Sequence, residues 1–142
     1  MVSEGITVTD RTRSLLQRLF SQYERGDSGP LFEHVADDIR WRVMGTHPLA
    51  GDYRSKEEFR RATYERLDGV LAGPIECHVT RVLADGGVGV VEWRGHATSV
   101  NGDPFDNVYC WIMRVRNERI VEVTAYVDSA LVAQLFASAE IG

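Results

Sequence analysis

Two cysteines, Cys77 and Cys110, are all the chain has, and no metal-type spacing joins them to each other or to a histidine. Both stand in strand-like context, where a free thiol behaves as a small apolar side chain. The histidines His34, His78 and His96 form no spaced set with cysteines or carboxylates, so no metal and no cofactor is expected. Positive charge is also short: 16 Lys and Arg against 21 Asp and Glu give a net charge of −5. Binding a phosphate backbone needs a clustered cationic excess, so nucleic acid is excluded as a partner. No apolar run approaches the ~20 residues of a membrane span. The opening MVSEGITVTDRTR lacks a basic start followed by an apolar block, so no signal peptide is expected and the predicted location is cytoplasmic. A P-loop, a nucleophile elbow and a dinucleotide-binding glycine set are missing as well.

What is present is an ordinary globular composition, 44% hydrophobic and 26% charged over 142 residues. That length fits a single domain, residues 1–142, with a core of its own. The most informative stretch runs from Val88 to Asp128, three apolar segments parted by two short polar breaks. Asn101-Gly102 tolerates positive φ at both positions, as a tight hairpin requires. Arg116-Asn117-Glu118-Arg119 is the second break. The outer segments are rich in β-branched and aromatic residues, so an antiparallel meander is expected.

Upstream, Thr9 is placed to cap a first helix whose apolar stripe is Leu15, Leu16, Leu19, Phe20 and Tyr23. Pro30 opens a short second helix. Ile39 to Met44 alternates with period two and reads as a strand, and Gly45 to Arg54 reads as a loop. Ser55 with Glu58 forms a capping box for a third helix running to Leu71. Ile75 to Leu83 is a strand, turned back by Asp85-Gly86-Gly87. Asp128 caps a closing helix. Helices grouped before an antiparallel sheet make an α+β fold, and a strongly twisted sheet under helices encloses a cone-shaped cavity. That cavity is expected between the concave sheet face and the first and third helices.

This order resembles the nuclear-transport-factor-2-like superfamily, in its SnoaL-like and ketosteroid-isomerase-like branch. The resemblance is carried by His34-Val35-Ala36-Asp37-Asp38 leading into Trp41-Arg42-Val43, and by Pro48-Leu49-Ala50-Gly51-Asp52-Tyr53-Arg54. Val91-Glu92-Trp93-Arg94, Asn107-Val108-Tyr109 and Ala125-Tyr126-Val127-Asp128 extend it over nearly the whole chain. It implies a cone-shaped α+β barrel with a curved, mostly antiparallel sheet, and a homodimer through the convex sheet face. The catalytic patterns of two branches are not reproduced. Where the ketosteroid isomerases carry their base, oxyanion-hole tyrosine and protonated aspartate, this chain has Val43, Leu19 and the neighbourhood of Trp111. The two inner-strand places of the limonene epoxide hydrolases hold Glu92 and Arg94 in reversed order, and the last-strand place holds Ala125.

Strand alternation then nominates a site. Trp41 and Val43 are expected to face inward, with Val90, Glu92, Arg94 and His96, and with Phe105, Asn107, Tyr109, Trp111 and Met113. Glu92 is the proposed acid or base, since a carboxylate in an apolar cavity has a raised pKa. Arg94 is its partner or the anchor of a negative oxygen. The opposite parity, with Val91 and Trp93 buried and the two charges in solvent, is the competing reading. His47, in the loop beside the cavity, is a proton carrier or an exposed loop histidine. Tyr53, Asn107 and Tyr109 are candidate hydrogen-bonding groups, and Trp41 and Trp111 candidate walls of a ring slot. Tyr126 is expected on the outer face, at a dimer contact. The expected function is a cofactor-independent acid–base enzyme, an isomerase, cyclase or dehydratase, on a small apolar ring-bearing molecule such as a polyketide or steroid-like compound. Rival readings are an epoxide-hydrolase-like enzyme, a non-catalytic ligand-binding module and a dimerisation platform with a filled core.

Overall fold

The computed structural model describes residues 5–141. In chain order the elements are α1 (Val8–Glu24), α2 (Gly29–His34), β1 (Val35–Val43), β2 (Gly51–Tyr53), α3 (Lys56–Ala62) and α4 (Tyr64–Asp68). Then follow β3 (Glu76–Asp85), β4 (Val88–Thr98), β5 (Pro104–Arg116), β6 (Arg119–Val127) and α5 (Ser129–Ile141). The six strands form one curved, open sheet in the order β2-β1-β6-β5-β4-β3. All neighbours are antiparallel except β1 and β6, which run parallel. The α+β class and the cone with helices packed over its concave face are as the sequence predicts.

Local chemistry explains most boundaries. The N-cap of α1 is Thr7 rather than Thr9, because the Thr7 hydroxyl accepts from Asp10 N while the Asp10 carboxylate accepts from Thr7 N. Thr9 instead accepts from Gly86 N, tying the helix to the β3–β4 turn. Pro30 sits in the first turn of α2. Ser55 caps α3 through Glu58 N, and Glu58 reaches back to Arg54 N instead of Ser55 N. The third helix does not run unbroken to Leu71. Thr63 leaves helical geometry, its hydroxyl donates to Phe59 O, and the chain restarts as α4. Asp128 caps α5 by accepting from Ala130 N. The loop from Gly45 to Arg54 contains the edge strand β2, whose three residues are too few for a periodicity signal.

The stripe of α1 lies on the sheet, with Leu16, Leu19 and Phe20 fully buried against Trp93, Trp111 and Val91. The approach is so close at Gly89 that a Cβ there would overlap the Leu16 side chain. This end of the cone is therefore solid core. A second apolar cluster joins Leu67 and Leu71 to Phe105, Val132 and Leu135 at the other end.

The two hairpins differ, and the difference decides the site. The β5–β6 turn is the tight one: Asn117 and Glu118 both have positive φ, 51° and 61°, between the paired Arg116 and Arg119. Asn101-Gly102 does not form such a turn. Only Gly102 has positive φ, and Ser99 N bonds Asp103 O, so the loop has three residues, Val100, Asn101 and Gly102. Pairing in the β4–β5 ladder thus sets Trp93 opposite Tyr109 and Glu92 opposite Cys110.

Candidate functional site

Directly opposed residues share a sheet face, so the extra loop residue turns β4 over relative to a two-residue hairpin. Val91, Trp93 and Ala97 are buried on the concave side, and Glu92, Arg94 and His96 lie on the convex side. The inward placement of Glu92 and Arg94 is corrected accordingly. The side chain of Glu92 is 38% exposed and ion-paired with Arg81 of β3. Arg94 is exposed, and His96 pairs with Asp106 on the same outer surface. Val90 is likewise outward-facing by the same parity. The inward placements on β1 and β5 hold for Trp41, Phe105, Asn107, Tyr109, Trp111 and Met113.

These inner faces frame a cavity of about 60 Å³. Its floor is aromatic. Trp93 and Tyr109, a cross-strand pair, stack at 4.0 Å with rings 12° apart. Trp111 stands edge-on to both Trp41 and Trp93, at 5.1 Å each. Trp41 stacks on Phe59 of α3 at 3.8 Å. The roof is Phe59, Thr63 and Tyr64 with Leu67, and Val132 of α5 closes one side. The cavity therefore lies between the sheet and α3, α4 and α5, not under α1 as the element order implied. Tyr64, Leu67 and Ile75 are shared walls with a groove of about 460 Å³ on their far side.

Among the described residues that line the cavity, none is Asp, Glu, Lys or Arg. Its titratable groups are His47, Tyr64 and Tyr109. His47 is buried, at 6% exposure, and both ring nitrogens are engaged by backbone. Nε2 lies 3.0 Å from Met44 O and Nδ1 accepts from Leu49 N at 3.1 Å, which selects the neutral Nε2–H tautomer. Burial pushes its pKa down, against a smaller opposing effect of the Met44 carbonyl. The expectation of an exposed loop histidine is replaced by a pinned, neutral one on the cavity wall. Burial raises the hydroxyl pKa of Tyr109 and of Tyr64 well above the ordinary tyrosine value. Tyr23, which shares a 3.2 Å hydrogen bond with Tyr64, is pushed up to about 12 by the same cause. At neutral pH the cavity wall carries no charge.

Trp41, Tyr109, Trp111 and His47 are thus brought together, and Tyr53 and Asn107 are not part of the wall. Tyr53 donates to Leu49 O at 2.8 Å, bracing the loop that carries His47. The buried Asn107 side chain accepts from Val108 N and Asp128 N and donates to Asp128 O, fixing the start of α5 to β5. Both spend their polar atoms on the backbone. Trp93, inward only under the competing parity, is a wall residue, and the sequence holds the signal for it. Val91, Trp93, Gly95 and Ala97 alternate with Glu92, Arg94 and His96, and that contrast in polarity assigns the faces directly. Thr63 between α3 and α4, Val132 on α5 and Ala125 on β6 are buried and also line the cavity.

The family model described as SnoaL-like domain matches residues 16–123. The dimerizing cyclase phiC of Fungal sp. (strain ATCC 74256) is 26% identical over 119 residues, 81% of this chain. The chain spans about half, 53%, of the length of that curated relative. An NTF2-like protein from Burkholderia thailandensis superposes with TM-score 0.75 at 25% identity, over 88% of this chain and 96% of that one. TerC, co-crystallised with polyporic acid, superposes with TM-score 0.72 at 15% identity, over 89% of this chain and 98% of that one.

Proposed function

The chain belongs to the SnoaL-like domain family of the nuclear-transport-factor-2-like superfamily, and from that premise we propose that its aromatic cavity binds a small, apolar, ring-bearing molecule. We further propose that it promotes cofactor-independent ring chemistry of the cyclase or isomerase kind on that molecule. The observation that carries the reading is the wall itself: three tryptophans, Tyr109 and Phe59 around one uncharged hollow, with an imidazole on its edge. Flat apolar surface with a few placed polar groups is the usual make-up of a small-molecule site. The likeness to a cyclase over much of the chain supports the reaction class.

The residues divide the work as follows. Trp41, Trp93, Trp111 and Tyr109 hold the ring and exclude water. His47 is the group placed to move a proton, by exchanging its Nδ1 bond to Leu49 N for one to the ligand. Glu92 and Arg94 have no part in it, being on the opposite face of the sheet. A hollow of about 60 Å³ is smaller than the ~300 Å³ of a typical ligand pocket, so binding displaces a wall. The wall of Tyr64, Leu67 and Ile75 is the one whose displacement adds space, since it opens into the neighbouring groove. We also propose a homodimer through the convex sheet face, where Val108, Ile112 and Tyr126 are exposed together, Tyr126 at 46%.

Titration with the bicyclic hydrocarbon tetralin, followed by proton–nitrogen correlation spectra, tests the binding site. Tetralin is expected to move all three indole N–H resonances in the wild type. Indoles that stay unmoved at saturating tetralin overturn the cavity reading. For the dimer, Ile112→Glu is expected to halve the mass measured by light scattering, and an unchanged mass overturns that interface.

A further inference from the structure

Among the described residues, two buried side-chain polar atoms have no hydrogen-bond partner: Nε1 of Trp41 and Nε1 of Trp93. Interiors rarely leave such groups unsatisfied, because an unpaired buried donor keeps its full desolvation cost. Here both exceptions are indole N–H donors, and both belong to residues of the same cavity wall, 0% and 1% exposed. Both rings stand edge-on to the same neighbour, Trp111. We infer that these two N–H groups are the ligand's hydrogen-bond donors, so that the cavity selects a flat ring bearing carbonyl, enolate or phenolate oxygen. This rests on the proposed reading of the cavity as a ligand site and names the chemistry of what it takes.

The chemical logic is one of sign. An indole donates and never accepts, and it does not titrate near neutral pH. The acceptor nitrogen of His47 is already occupied by Leu49 N. The Thr63 hydroxyl gives its proton to Phe59 O, and Tyr64 is paired with Tyr23. Among the described residues, the buried groups left without a partner are thus both donors, matched by oxygen acceptors and mismatched by ammonium groups. A cationic amine would also lose its hydration with no carboxylate on the wall to replace it. Hydrogen-bond donors brought against a ring oxygen stabilise negative charge as a ketone turns to its enolate. In such a step the carbon–hydrogen bond beside the carbonyl breaks: its electron pair forms the new carbon–carbon double bond, the carbonyl π pair moves onto oxygen, and the proton goes to His47 Nδ1 once that nitrogen releases Leu49 N.

Three ligands of one shape separate the possibilities: tetralin, its ketone α-tetralone, and its amine 1-aminotetralin. The ketone is expected to bind roughly tenfold more tightly than the hydrocarbon, the effect of one net hydrogen bond, and the amine most weakly. Adding the ketone is expected to shift the indole proton of Trp41 or Trp93 downfield, and tetralin to leave it without that downfield shift. Trp41→Phe or Trp93→Phe is expected to bring the ketone down to the affinity of tetralin. If either variant fails to fold, the wild-type indole shifts decide alone. Equal binding of ketone and hydrocarbon, or a ketone-specific shift confined to Trp111, overturns the inference and leaves the cavity reading standing. Failure of all three to bind overturns both.

Discussion

Ala125 sits on β6 with its side chain on the cavity wall, opposite Trp111 on one neighbouring strand and Val43 on the other. It is 5% exposed. Ala125→Val adds two methyl groups at the edge of a hollow of about 60 Å³. At ~24 cal/mol per Å³, filling that hollow recovers roughly 1.4 kcal/mol. Counted instead as two buried methyls at ~0.8 kcal/mol each, the gain is about 1.6 kcal/mol. The two routes agree, and imperfect fit brings the expected net stabilisation to about 1 kcal/mol. In a central strand, valine's β-branched shape also favours the substitution. For a chain of this size, that is a rise in Tm of about 3 °C. The same methyl groups occupy the space of the proposed ligand, so affinity for tetralin is expected to fall at least tenfold. Ala97→Val is the control. Ala97 is also 5% exposed but packs in the second apolar cluster and is not on the cavity wall. Overpacking there is expected to lower stability by ~1–3 kcal/mol. Denaturant unfolding with ligand titration on both variants is the assay. An Ala125→Val protein that is less stable than wild type, or that binds tetralin unchanged, would refute the description of the cavity.

Three further outcomes follow from single features. Glu92→Gln is expected to leave ligand affinity and any turnover unchanged, and the stability of the single chain within about 1 kcal/mol, because the Arg81–Glu92 pair lies on the convex side of the sheet, away from the cavity; a large loss of turnover would restore the inward carboxylate. The lowered pKa of His47 means the unfolded chain binds a proton the folded chain resists. Stability from this group is complete above the ordinary value of 6.5 and declines as pH falls from there toward the folded value, by at most ~1.4 kcal/mol per pH unit. His47→Gln should flatten that part of the pH–stability curve, and an unchanged slope would contradict the assignment. Glu118→Gly is expected to raise stability by about 0.5 kcal/mol in thermal or denaturant unfolding. Glutamate at φ 61° is disfavoured there, and the gain exceeds glycine's entropic cost in the unfolded chain.

The course of residues 88–128 shows where reading the chain succeeded and where it failed. Element types, the α+β class and the inward faces of β1 and β5 were legible, because hydrophobic period and turn chemistry are local. The face of β4 was misassigned by trusting a dipeptide. Asn101-Gly102 fits a two-residue turn, yet the chain uses it in a three-residue loop, and one residue of register reverses every side chain of β4. The polarity contrast within β4 itself, Val91 and Trp93 against Glu92 and Arg94, was the better guide. The break at Thr63 was not legible either, since the residues on both sides of it are good helix formers.

Sequence alone determined most of the helices and strands and the alternation of apolar and polar residues along them, which depend on neighbours within a few positions. Only the tertiary structure decided which end of the cone is solid. At one end α1 drives Leu16 and Phe20 onto the sheet; at the other the short α4 and the closing α5 leave room. It alone also left the indole nitrogens of Trp41 and Trp93 without acceptors, and pinned His47 between Met44 and Leu49. Packing volume and hydrogen-bond satisfaction belong to residues far apart in the chain, and no periodicity along the chain encodes them.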